Sequence, residues 1–97
     1  MWIWTDETEP QVVNLSDATS LFIVQVVEHA RPVMKYEIKA RFPGGWDVKL
    51  ASFEADMQPG GILPSEDVLK GLKSRATLVL QKILVQMGVE PKPLPEL

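Results

Sequence analysis

The chain carries few residue types that do covalent chemistry: one histidine, no cysteine, and serines scattered at positions 16, 20, 52, 65 and 74. His29 sits in the polar stretch Glu28-His29-Ala30-Arg31-Pro32. A zinc site would have to be assembled from carboxylates around that single imidazole, whereas structural zinc draws on several Cys and His ligands. The same imidazole would have to serve as the base of any serine triad, and no serine lies in a Gly-x-Ser-x-Gly turn. His29 is therefore read as a surface turn residue. The carboxylates Asp6, Glu7, Glu9, Glu54, Asp56, Glu66 and Asp67 fall in termini, connections or a helix start, where solvation and the helix dipole account for them. No catalytic set, no metal site and no cofactor site is expected.

Two Pro-Gly-Gly triplets, at 43–45 and 59–61, have the composition of phosphate-cradling loops. The first leads into a strand rather than a helix, and the second precedes a helix whose first turn holds Glu66 and Asp67, which repel an anion. Both are read as turns. Lys35, Lys39, Arg41 and Lys49 would share one sheet face, which suits a single-stranded nucleic acid if aromatic rings accompany them. Alternation sends Tyr36, Phe42 and Trp46 to the other face, and Glu37 and Asp47 dilute the charge. Tyr36 and Trp46, with Met87 from the helix, would instead line an apolar pocket between sheet and helix.

The elements that position these residues can be read from periodicity. Met34, Tyr36, Ile38, Ala40 and Phe42 alternate with Lys35, Glu37, Lys39 and Arg41, which specifies a strand with one face on a core. Pro43-Gly44-Gly45 interrupts it before Trp46, Val48 and Leu50 resume the pattern. If the apolar sets share a face, opposed residues must number to an even sum. A three-residue loop is then required, pairing Phe42 with Trp46, Arg41 with Asp47, Ala40 with Val48, Lys39 with Lys49 and Ile38 with Leu50. Leu21 to Val27 is β-branched and apolar at both parities, a strand that wants cover on both faces. Ser65 is an N-cap followed by Glu66 and Asp67, and Gly88 and Pro91 close the helix that begins there. Its main apolar face includes Leu72, Ala76, Val79, Leu80, Ile83 and Met87, while Leu78 and Val85 lie seven residues apart on the opposite side.

Composition sets the frame for these elements. Ninety-seven residues, 45% hydrophobic and 24% charged, describe one small globular domain and exclude a multidomain enzyme or a disulfide scaffold. A net charge of −3 argues against bulk electrostatic binding to nucleic acid or an acidic membrane. No apolar run approaches the roughly 20 residues of a membrane span, and the start Met1-Trp2-Ile3-Trp4-Thr5-Asp6-Glu7 lacks the flank and apolar stretch of a signal peptide. A cytoplasmic protein is expected.

The expected fold is α+β: an antiparallel meander of about four strands, at 12–15, 21–28, 33–42 and 46–53, packed on one long C-terminal helix over 65–87. Residues 1–10 form an arm or short strand, 11–88 the domain, and 89–97 a Pro-rich tail. The strand order, with Lys35-Tyr36-Glu37-Ile38 in a strand and Gly60-Gly61-Ile62-Leu63-Pro64-Ser65-Glu66-Asp67 entering the helix, resembles the single-stranded-DNA-binding transcriptional coactivator p15 fold. That resemblance covers the last two-thirds of the chain, implies dimerisation through the helices, and departs from the family in its acidic balance. The residues themselves point first to a non-catalytic interaction module, a homodimer that buries Leu21, Ile23 and Val27 of the two-faced strand together with Leu78 and Val85. The alternatives are a nucleic-acid face at Lys35, Lys39, Arg41 and Lys49, or a small-molecule sensor using the Tyr36, Trp46 and Met87 pocket.

Overall fold

The computed structural model describes residues 1–89. Its elements in order are β1 (Trp2–Trp4), β2 (Val12–Asn14), a 3-10 turn (Leu15–Asp17), β3 (Ser20–Glu28), β4 (Val33–Phe42), β5 (Trp46–Asp56) and α1 (Glu66–Gln86). Strands β3, β4 and β5 form an antiparallel meander in that order, and β1 pairs with β2 in a separate two-stranded sheet. The architecture is α+β, with the helix laid across β4 and β5.

Of the four strands expected in one meander, the last three form it, while the first, β2, pairs instead with β1 from the N-terminal segment. Asn14 Oδ1 accepts the Ser16 amide at 3.1 Å and closes the turn that ends β2. Strand β2 instead takes β1 as its neighbour, opposing Ile3 to Val13, and the Met1 carbonyl accepts the Leu15 amide at 2.8 Å. Val13 and Leu15 reach the core from this small sheet, while Trp2 and Trp4, on the other parity, stay exposed.

The β4–β5 hairpin has the three-residue loop and the register read from parity, from Phe42 opposite Trp46 to Lys39 opposite Lys49. Gly44 and Gly45 take positive φ, as the turn requires. The next pair differs: Ile38 lies opposite Ala51, because Leu50 is an extra residue in a β-bulge. The bulge changes the phase of β5. Val48 and Leu50 point into the core ahead of it; beyond it Ala51 and Phe53 do, and the strand continues to Asp56 rather than ending at Phe53. Without the extra residue, Phe53 would turn outward and Ser52 inward.

Helix α1 follows the capping signals. Ser65 Oγ accepts the Val68 amide at 3.4 Å, and beyond the last turn Gly88 adopts φ +82° while the Val89 amide reaches back to the Leu84 carbonyl at 2.8 Å. Leu72, Ala76 and Ile83 are buried against the sheet, with Val79, Leu80 and Met87 packed beside them. The Pro-rich segment at 90–97 lies outside the described residues.

Candidate interaction surfaces

Strand β3 is an edge strand along its full nine residues. Alternation and its register with β4 put Leu21, Ile23, Gln25 and Val27 on the core face and Phe22, Val24 and Val26 on the outer face. Because α1 packs over β4 and β5, the core face of β3 is only partly roofed. Leu21 and Ile23 touch the core, yet every apolar residue of β3, on both faces, remains half-buried. The two-faced pattern in the sequence therefore survives folding of one chain.

The outer edge of β3 can be mapped group by group. The Thr19 amide donates to the Arg41 carbonyl at 2.7 Å, so Arg41 turns its carbonyl toward β3. Alternation turns the main-chain groups of Lys39, Glu37 and Lys35 the same way, onto Phe22, Val24 and Val26. The amides and carbonyls of Leu21, Ile23, Gln25 and Val27 are left on the open edge, and no strand among the described residues pairs with them. The opposite edge of the sheet is built otherwise. Strand β5 is bulged at Leu50, and there the Lys49 carbonyl accepts the Asp6 amide at 2.8 Å.

The outer face bearing Lys35, Lys39, Arg41 and Lys49 is neutralised within the chain. Lys35 Nζ lies 2.7 Å from Glu28 Oε2, and Arg31 approaches the same oxygen at 3.8 Å. The Lys35 ammonium holds the Glu28 carboxyl below its ordinary value, and Glu28 in turn raises Lys35. Arg41 grips Asp47 with two hydrogen bonds, at 2.8 and 3.1 Å, which lowers the Asp47 carboxyl; the guanidinium also lies 5.0 Å from the centre of the Phe22 ring. Glu37, 8% exposed, stands 4.0 Å from Lys39 and 3.9 Å from Lys49, separating the charges of two lysines that oppose each other across the ladder. Glu7 and Thr8 close one side of the shallow polar hollow above them. Every basic group of this face thus has a carboxylate within 4.0 Å, an arrangement that competes with a phosphate rather than awaiting one.

The remaining sequence-derived residues fall apart from one another. Tyr36 lies opposite Phe53 in the middle of the sheet, and Trp46 stacks on Phe42 at its end, with centroids 4.5 Å apart. Six strand residues separate Tyr36 from Phe42, about 20 Å. Met87 packs on the core, as Tyr36 does, while Trp46 stays largely exposed at the hairpin end. Leu78 and Val85 are 57% and 59% exposed and line a shallow open groove with Gln81, Lys82 and Gln86 on the side of α1 away from the sheet. Among the described residues no three His, Asp or Glu side chains converge as a metal cluster. Likewise no helix among them is long and apolar enough to cross a membrane.

The surface that sequence reasoning missed is the open main-chain edge of β3. The two-faced composition of Leu21 to Val27 signalled burial on both sides, whereas the edge follows from strand order, which periodicity does not encode. No protein-family model, curated protein or solved structure matches the chain significantly.

Proposed function

We propose that the chain is a non-catalytic assembly module that acts as a homodimer joined along β3. The observation that carries this reading is the state of that strand: nine residues with an edge that no other strand among the described residues pairs, half-buried apolar side chains on both faces, and neither proline, lysine nor bulge to discourage pairing. Edges of this kind are ordinarily blunted by charge, proline, a bulge or a covering element. The outward stripe of α1 at Leu78 and Val85 points away from the sheet, so it lies off a seam formed at β3. The basic residues of the outer face serve the sheet's own ion pairs in this reading.

Light scattering across a concentration series tests it. The wild type should show about twice the 10.9 kDa chain mass. Val26→Lys, on the outer face of β3, should shift the protein toward monomer, and Leu78→Glu with Val85→Glu should leave the dimer in place. A wild type that stays monomeric at millimolar concentration would end the proposal. Dissociation by the helix double substitution but not by Val26→Lys would move the interface to α1.

A further inference from the structure

Resting on that reading, we infer that two copies pair antiparallel along β3 in the one register that opposes Val24 to the partner's Val24, merging two three-stranded sheets into one of six. Three independent features select it. A twofold pairing that keeps core faces together needs an even register sum, because an odd sum would set core-facing residues against outward ones. The four residues with open main-chain groups, Leu21, Ile23, Gln25 and Val27, must also meet their like across the seam for the ladder to close. Centring the axis on Val24 does this for all four: Ile23 faces the partner's Gln25, and Leu21 faces the partner's Val27. Moving the axis to Ile23 or Gln25 strands two residues at each end of the nine-residue edge.

The second feature is the side-chain pattern, which is self-complementary about Val24. Phe22 meets the partner's Val26, and Leu21 meets the partner's Val27, so apolar pairs form on both faces, with Ile23 against the partner's Gln25 as the mixed pair beside the axis. The third is charge. Glu28 is the only charged residue of β3, and it falls opposite the partner's Ser20. Ser20 is small and pairs on its far side with Arg41, whose guanidinium is half exposed. With the axis on Gln25, the Glu28 carboxylate would instead fall opposite the apolar ring of the partner's Phe22, so the Val24 register is the one that sets it against a small polar neighbour. Lys35 and Arg31 hold that carboxylate on the same outer face. A foreign strand would need apolar residues on both faces and a small polar residue opposite Glu28; a second copy of this chain supplies both.

The absence of cysteine makes the test direct. In this register Val24 is a non-hydrogen-bonded pair on the axis, with Cα atoms about 4.5 Å apart, inside the range a disulfide spans. Gln25 and the partner's Gln25 are offset by two residues each, about 8 Å, which is out of range. Under mild oxidation Val24→Cys should convert to covalent dimer, whereas Gln25→Cys and Leu78→Cys should not. In the unsubstituted protein, hydrogen exchange at the Leu21, Ile23, Gln25 and Val27 amides should slow at least tenfold between dilute and concentrated samples. A dimer by light scattering in which Val24→Cys stays uncrosslinked and those four amides stay unprotected overturns the edge pairing while leaving a homodimer through another surface. Equal crosslinking at positions 24 and 25 overturns the register. A monomer at all concentrations overturns both.

Discussion

Replacing Gln25 by proline separates the two sides of β3 more sharply than any change of side chain. The Gln25 amide faces the open edge, so proline there removes no hydrogen bond of the β3–β4 ladder. The exposed Gln25 side chain gives up only a contact from its amide nitrogen to Met34 sulfur at 3.6 Å. Folding stability should fall by less than about 1 kcal/mol. Association is another matter, because each dimer loses the Gln25 amide bond to the partner's Ile23 carbonyl twice. At about 1 kcal/mol per bond the loss is about 2 kcal/mol, a roughly thirtyfold rise in Kd before any clash of the ring with the neighbouring strand. Val24→Pro is the reciprocal change. The Val24 amide turns toward Glu37 inside the sheet, so its removal should cost about 1–3 kcal/mol of folding stability. Sedimentation equilibrium gives the first quantity and urea denaturation of dilute protein the second. If Gln25→Pro sediments as wild type, or if the two prolines destabilise the monomer equally, the assignment of open and paired groups along β3 is wrong.

Acid should weaken the fold through the outer-face ion pairs. The carboxyls of Glu28 and Asp47 are lowered in the folded protein by Lys35 and Arg41, so their stabilisation is fully present above the ordinary values of 4.5 and 3.8. It is lost as pH falls through the lower folded values. Thermal melts from pH 7 to pH 3 should show Tm dropping over the acid end of that range, less steeply in a Glu28→Gln, Asp47→Asn double variant; equal slopes would contradict the pairing. In the core, Ile38 is fully buried beside the bulge, and Ile38→Ala should cost about 2–5 kcal/mol in urea denaturation. A loss below about 1 kcal/mol would mean that the site collapses freely.

Local patterns carried most of what the sequence revealed. The alternation of β4, the Phe42–Trp46 loop and the Ser65 and Gly88 caps depend on residues close in the chain, and each is legible from neighbours alone. The bulge was equally local: the run Leu50, Ala51, Phe53 and Ala55 changes parity in mid-strand, and the regular register ending at Ile38–Leu50 passes over that change. The pairing of β1 with β2 is harder to read, since only Ile3 of the Trp-Ile-Trp segment turns inward and one residue makes no period. Of the candidate interface, the apolar pair Leu78 and Val85 was legible from helical spacing. The open edge of β3 depends on which strand ends the sheet and where the helix rests, both of which are decided by long-range packing.

The bulge at Leu50, with Asp6 docked on Lys49, also determines how far association can proceed. An unprotected margin on both sides would let copy add to copy without limit, in the manner of a fibril. Here the β5 margin is kinked at the bulge and its Lys49 carbonyl is already taken, which disfavours growth from that side, so association ends once two β3 strands have met.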